Sequence, residues 1–587
     1  MSDVSLKEKL GARLHIAPPE SLSAGALFAD ERRWTEFLSA TAREPDAFFW
    51  RVARELSWRT VPNSIGSPGD WFPGGSLNLA EICLGAGNAD TTCLLWPDDE
   101  GSIQSWTRAA LRSRVSELAG SIRSLGLTPG DRVAVLSSGG PDLAVSLLAC
   151  FALGLVAVPL SGSASPDTVT NRLKTGGCHV VLVAAGADAP QFEIPRLDVH
   201  LDGASSGAAA LEPVAIPPMH PALVFADAAG QPFMLPTAGF AVQAVASYRY
   251  ILDGREGHAT WVLAPSSHVS AAATLVGALA SGGVAGLAAL PGSAAEIGLL
   301  LARLPGRTAL IDTGAAYALG TAIERGAAGG AVRSGTLELV AVEGTSLDPR
   351  SLQLLHDRLF EGKVHVVQAL ARPECGGFIA GPYPPVTRIR FSSVARPAPG
   401  LSLEIVDSQG APCAVGVGGM LALSRIPPCV ALELKNAVPP AVIEVKARRD
   451  HDDNLWPLGE AHIPLSDSTH VNVAELEAAL AEAPGVEQVA VVRYTDTEGR
   501  PASRAFIKVE TDAEISLEAL RAALASRFGD AALTTSFCTV DELPYTRSGK
   551  LLRSVLRRMC AGEPLSDEDL AMIEDPAVAA ALARRLG

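Results

Sequence analysis

The chain has 587 residues, 48% of them hydrophobic and 19% charged, too long and too apolar for a disordered linker and long enough to predict more than one domain. Its 48 Lys+Arg against 64 Asp+Glu leave a formal net charge of -16, which argues against a whole-surface electrostatic grip on nucleic acid or anionic lipid. Nine scattered cysteines without a C-x-x-C pair predict a reducing compartment, with neither a disulfide framework nor a structural zinc site.

The first residues, MSDVSLKEKLGARLHIAPPE, place no apolar run behind their basic residues, so no secretory signal is expected and the protein is predicted to be cytoplasmic. Leu111 to Leu125 has helical periodicity, GLTPGD is a turn, and RVAVLSS from Arg132 reads as a buried strand. LAVSLLACFALGLVAVPL, from Leu143 to Leu160, is about as long as a membrane span. Gly154 and Pro159 interrupt it, however, and its β-branched end predicts a buried helix running into a buried parallel strand, with no membrane partner. DTVTNRLKTGG, HVVLVAA from His179, and AAATLVGALASGGVAGLAAL from Ala271 to Leu290 continue the alternation. Such alternation predicts an α/β fold of doubly wound sheets, whose ligands sit beyond the carboxyl ends of strands. From about Gly400 the texture changes to short strands with Gly/Pro turns, LSLEIVDSQGAPCAVGVGGMLALS, which predicts a small β-barrel-like subdomain, an antiparallel barrel or sheet. After Gly459 comes an α+β unit: helix VNVAELEAALAEA, strands EQVAVVRY and SRAFIKVE, helix SLEALRAALASRF, and the basic helix LLRSVLRRMC. The expected division is a large N-terminal domain over 1–458, including an N-terminal segment over about 30–90, and a small C-terminal domain over 459–587.

Several motifs carry a resemblance. Trp71-Phe72-Pro73-Gly74-Gly75-Ser76-Leu77-Asn78 is similar to a W-F-x-G-G-x-L-N segment, and Pro544-Tyr545-Thr546-Arg547-Ser548-Gly549-Lys550 to P-K-T-R-S-G-K. LGLTPGDRVAVLSSGGPDLAVSLLACFALG, GGFIAG after Glu374, and the tail LSDEDLAMIEDPAVAAAL add to these. With them the chain, from about Trp34 to its end, resembles the AMP-forming acetyl-CoA and propionyl-CoA synthetases of the adenylate-forming superfamily. The resemblance implies that the C-terminal domain is mobile and swings between an adenylating and a thioester-forming pose. It does not by itself settle function.

The resembled enzymes bind ATP on a loop Y-T-S-G-S-T-G-K-P-K-G, whose amides, hydroxyls and lysine neutralise the triphosphate. The matching stretch here runs Val224-Phe225-Ala226-Asp227-Ala228-Ala229-Gly230-Gln231-Pro232-Phe233-Met234. Gly230 and Pro232 survive, the hydroxyls are gone, Gln231 replaces the first lysine, Phe233 replaces the second, and Asp227 brings a carboxylate. In W-W-Q-T-E-T-G-G the threonine and glutamate help hold AMP phosphate and magnesium, and a tryptophan closes the acyl pocket. Here Leu370-Ala371-Arg372-Pro373-Glu374-Cys375-Gly376-Gly377 keeps Glu374, puts Pro373 for the threonine, and puts Ala371 for the tryptophan beside Cys375 in the implied acyl pocket. In AVIEVKARRDHDDNLWPLGE from Ala441, Val445 stands for the ribose-binding aspartate, Glu460 for a phosphate-facing arginine, and His462 for the hinge aspartate. His470 falls near a further arginine position.

Lys550 and Arg547 remain, and the resemblance implies that Lys550 bridges carboxylate and nucleotide oxygens during adenylation. Its other reading is a solvated lysine retained by its loop. Arg172 in TNRLKTGG falls where the synthetases place an arginine near the 3'-phosphate of CoA. His462, His470, Asp467 and Cys538 have no metal-binding spacing, so no metal site is expected, and Cys375 as a nucleophile has no assignable histidine. The site expectation is therefore Lys550 and Glu374 as catalytic residues, with Arg172, Arg547 and Gly230 for cofactor. ATP and magnesium are not expected as cofactors, and CoA or an acyl-CoA is the class the pattern admits. Three functions stay open: a scaffold with a protein or carrier-domain partner, an ATP-independent acyl transferase on small acyl thioesters, and an AMP-forming ligase with unorthodox phosphate contacts.

Overall fold

The computed structural model describes residues 16–164, 166–184, 191–201, 212–226, 231–324, 336–345, 349–460, 476–477, 480, 483, 485–495, 501–509, 513, 515–528, 535–545, 551–566, 569–570, 573 and 575–586. Two large sheets organise the first 400 residues. One has the strand order Pro232–Pro236, Pro221–Ala226, Val156–Ser161, Arg132–Ser137, Val180–Ala184, Arg196–Val199, all parallel except the first pair. The other runs Arg396–Pro397, Gly377–Gly381, His365–Arg372, Leu339–Glu343, Thr308–Asp312, Ala259–Leu263, Val284–Leu287, Thr92–Pro97, Ile103–Thr107, parallel through its centre and antiparallel at both margins. The doubly wound α/β expectation is met, because near-continuous apolar strands need both faces covered by helices.

The segment from Leu143 to Leu160 divides into helix Pro141–Ala152 and strand Val156–Ser161, turning at Gly154 with φ +67°. Ala271 to Leu290 divides in the same way, into helix Val269–Ala280 and strand Val284–Leu287. These two helices and Thr237–Tyr250 carry small or apolar residues all round and are buried almost completely, as helices without a wet face must be. Close approach explains Gly277, where a Cβ would lie 2.4 Å from the Ala244 carbonyl oxygen. Among the described residues no helix is long and apolar enough to cross a membrane.

The N-terminal motif is structural. Trp71 and Phe72 are buried, and Asn78 caps helix Leu79–Gly85 through Ala80 N while its Nδ2 donates to the Phe151 and Val214 carbonyls at 2.8 Å each. Beyond residue 400 the antiparallel subdomain is a sheet of four strands among the described residues, Leu403–Val406, Gly419–Leu423, Ala441–Arg449 and Leu455–Glu460. Its last strand crosses the expected boundary at 458/459. The C-terminal unit contains the sheet Val486–Thr495, Pro501–Val509, Thr535–Val540, with helices Leu517–Phe528, Arg553–Cys560 and Pro576–Leu586. Ser566 and Asp569 cap reciprocally, Asp569 N donating to Ser566 Oγ at 3.1 Å and Ser566 N to Asp569 Oδ2 at 2.9 Å. Arg553 of this unit lies 4.8 Å from the ring centroid of Tyr317, in helix Thr313–Glu324.

Candidate functional site

The carboxyl ends of the parallel strands in both sheets meet along one seam. There a cavity of ≈ 300 Å³ is bordered by Ser161, by Thr168 and Arg172 of helix Pro166–Gly176, by Ala226 and Pro232, and by His268 of the turn after strand Ala259–Leu263. Arg172 lies at the wall of this cavity. Ala226 and Pro232 face each other across an antiparallel ladder, so the chain's counterpart of the triphosphate loop begins and ends at this cavity. Asp227, Ala228, Ala229 and Gly230 themselves lie outside the described residues, as do Arg547, Lys550, His462, Asp467 and His470. The flanks of the lysine loop are held by a β-bridge between Tyr545 and Leu551.

Phe233 is 7% exposed and belongs to the main hydrophobic core, opposite Phe225, whereas Gln231 is exposed. Burying a phenyl ring here gives strand Pro232–Pro236 an apolar anchor. Val445 is fully buried within alternating strand Ala441–Arg449 and pairs with Glu460 across the ladder. Arg448 lies 5.0 Å from the Trp456 ring, and Asp450 accepts from Trp456 Nε1 at 2.8 Å, holding that hairpin together.

Strand His365–Arg372 ends in the 3-10 turn Pro373–Cys375. Proline opens this turn because its fixed φ suits a first helical position, and Gly376 closes it in the left-handed region at φ +67°. The turn aims Glu374 back at Arg372. Arg372 Nη2 donates to Glu374 Oε1 at 2.9 Å and Arg372 Nε to Oε2 at 3.1 Å, with residue exposures of 5% and 1%. Ala371 is buried opposite Phe378. Cys375 is fully buried, and burial pushes its thiol well above its ordinary value, with Cys429 and Glu374 adding to the effect. Cys375 thus has the surroundings of an inert core thiol. Among the described residues no group of three His, Cys, Asp or Glu side chains is arranged to hold a metal ion.

Two features escaped the sequence reading. Arg372 was seen only as a neighbour of Glu374, although an i, i+2 spacing across a turn brings the two side chains together. His268 and Glu343 are 75 positions apart, and only the parallel sheet joins them: Glu343 ends strand Leu339–Glu343, and His268 Nδ1 lies 3.0 Å from its Oε2. Ser270 Oγ donates to the same oxygen at 3.4 Å. The available signal was positional, since both residues lie at or just past the carboxyl ends of the short apolar segments that form strands Ala259–Leu263 and Leu339–Glu343.

The fold and this seam define an acyl-CoA synthetase-like architecture. The description AMP-binding enzyme matches residues 85–220, and AMP-binding enzyme C-terminal domain matches residues 475–550. Acetyl-coenzyme A synthetase of Chlorobaculum tepidum is 23% identical over 98% of this chain and 97% of that protein. Its counterpart from Bradyrhizobium sp. is 25% identical over 94% and 95%. Among solved structures, acetoacetyl-CoA synthetase from Streptomyces lividans superposes with a TM-score of 0.75 at 17% identity, over 97% of this chain and 99% of that one. A benzoate CoA ligase from Burkholderia xenovorans gives 0.67 at 19% identity, over 82% and 100%. Over nearly its whole length the chain is thus similar to members of the adenylate-forming superfamily.

Proposed function

We propose that this protein is an acyl-CoA synthetase-like protein of the cytoplasm that handles ready-made acyl thioesters, free or on a carrier domain, without consuming ATP. The observation that carries the proposal is the buried two-point ion pair of Arg372 and Glu374. A guanidinium fork matches both oxygens of a carboxylate and satisfies them in one plane. Glu374 therefore already holds a cation, covalently part of the chain, at the place where the resemblance implies magnesium. The fit to magnesium-ATP is poor in the neighbouring positions too: Val445 offers no acceptor to ribose hydroxyls, and Phe233 is turned into the core. At ~1 to 3 kcal/mol for each lost charged hydrogen bond, several such losses together lower nucleotide affinity by orders of magnitude.

Titration calorimetry of the full chain with magnesium-ATP tests this, together with pyrophosphate exchange in the presence of a panel of carboxylic acids. No heat and no exchange are expected, and micromolar affinity would sink the proposal. A second reading, an AMP-forming acid-CoA ligase with unorthodox phosphate contacts, is favoured by one observation: the acetyl-coenzyme A synthetases named above match nearly the whole chain, through the retained Pro544 to Lys550 run. Acid-dependent formation of AMP in the same assay would select it.

A further inference from the structure

The pair His268 and Glu343 has no role in the reading above. A carboxylate oxygen only accepts, so at 3.0 Å from Glu343 Oε2 the His268 Nδ1 carries the proton, and in the neutral ring the lone pair is at Nε2. Ser270, fully buried, donates to the same oxygen at 3.4 Å. The imidazole is not sealed in. Its side chain is 40% exposed, against 11% for Glu343, and it borders the ≈ 300 Å³ cavity together with Arg172 and Thr168. That volume lies at the lower end of the range for small-molecule sites, about 300–1,000 Å³. A base held in one tautomer by a buried carboxylate, at the wall of a cavity beyond the carboxyl ends of strands, is the arrangement that proton transfer requires.

We propose that His268 is the proton acceptor for a thiol entering this cavity, with Glu343 as its positioning residue, in an exchange of acyl groups between thiols. The inference rests on the reading that the site takes ready-made thioesters. Nε2 takes the S–H proton, and the sulfur lone pair forms a bond to the carbonyl carbon of the incoming thioester while the C=O π electrons move onto oxygen. Those electrons return as the original C–S bond breaks, and the imidazolium gives its proton to the departing thiolate. One thioester and one thiol yield one thioester and one thiol, and nothing is oxidised or reduced.

The test uses the full chain with acetyl-, butyryl- and benzoyl-CoA as donors and pantetheine as acceptor, acyl-pantetheine being followed by mass spectrometry. With His268→Ala, exchange should fall by about 10²–10⁴-fold, the usual worth of a positioned base, and added imidazole should restore part of it in this variant alone. Glu343→Gln should lower turnover while leaving KM for the donor unchanged, since it acts through His268. Undiminished exchange in His268→Ala overturns the inference and leaves the thioester reading standing. A loss that imidazole does not rescue, in a variant with an unchanged circular dichroism spectrum, overturns the proton-acceptor role as well. Absence of exchange by the unmodified chain overturns both the inference and the thioester reading.

Discussion

The two ends of the nine-stranded sheet hold their charges in opposite ways. At the amino end, Arg307 pairs with Asp253 at 2.9 Å and Glu338 at 2.7 Å and donates to the Leu22 carbonyl at 2.6 Å, while Arg255 pairs with Asp253 at 2.9 Å and donates to the Ala24 carbonyl at 3.1 Å. Except for Arg255 and Asp253, which are two positions apart, these contacts join residues far apart in sequence, and those to Leu22 and Ala24 fasten the N-terminal segment to the sheet. At the carboxyl end the charges pair over two residues, as in Arg372 and Glu374, or border a cavity, as in His268 and Glu343. The amino end uses its charges as fasteners, whereas the carboxyl end combines a buried pair, Arg372 and Glu374, with a histidine that borders a cavity, the end of a parallel sheet at which ligands generally sit.

The largest effect should come from breaking the fastener. Asp253 is 2% exposed, and burial raises its carboxyl even against Arg307 and Arg255. Removing one partner of such a pair leaves a buried charge and costs ~3–5 kcal/mol. Arg307→Met should lower the denaturant midpoint accordingly and speed proteolysis near Leu22. A loss below about 1 kcal/mol would mean that the amino end is not fastened through Arg307.

A pH experiment separates the two ends of a single strand. His365 opens strand His365–Arg372 fully buried, neither ring nitrogen having a hydrogen-bond partner among the described residues. Burial, with a smaller contribution from His356, pushes its imidazole down to about 3. Above its ordinary value near 6.5 the ring is neutral in both folded and unfolded chains and contributes nothing. As pH falls through that value the unfolded chain takes up a proton that the folded chain refuses until about 3, so stability drops across this window. At pH 5 the share is about 2 kcal/mol. His365→Leu should remove that share of the acid slope in denaturant titrations at pH 7 and pH 5, and an unchanged slope would contradict it.

A smaller effect is expected where the C-terminal unit touches helix Thr313–Glu324, which leaves the carboxyl end of strand Thr308–Asp312. Arg553 meets Tyr317 at 4.8 Å and Glu477 at 2.9 Å. Tyr317→Leu removes the aromatic face, worth about 1 kcal/mol at a partly exposed site. Limited proteolysis within the C-terminal unit should quicken by roughly five-fold; no change would place the docking energy elsewhere.

Much of this architecture was legible in the sequence. Leu143 to Leu160 and Ala271 to Leu290 each declared a helix, a glycine turn and a strand, because apolar runs of that length with internal breakers have few other solutions. The basic helix that begins at Arg553 was equally local. What stayed hidden was pairing. That Asn78 bonds the carbonyls of Phe151 and Val214, that Phe233 packs inward, and that Glu343 reaches His268 depend on register between distant strands, which composition and periodicity do not encode. Arg372 and Glu374 were both in view, but whether they met or diverged depended on the turn that Pro373 starts.

The last expectation is an effect of zero, set against a variant designed to produce one. If Arg372 already neutralises Glu374, magnesium-ATP cannot claim that carboxylate, and a ligand with no differential affinity for two states shifts neither. Thermal midpoint and the distance between labels on the two domains should then be unchanged on adding magnesium-ATP to the unmodified chain. Arg372→Gln removes the cation but keeps one donor, leaving Glu374 buried and partly satisfied at a cost of about 1–3 kcal/mol. In this variant magnesium should recover part of the lost stability, because an ion bound only by the folded chain stabilises it by mass action. The amino end serves as the control: Arg307→Met leaves buried Asp253 with Arg255 as its remaining cation, and magnesium should not rescue it. Recovery in both variants would reduce the contrast between the two ends to a general response of buried carboxylates to divalent ions, and an ATP-dependent closure of the unmodified chain would remove the basis for an ATP-independent site.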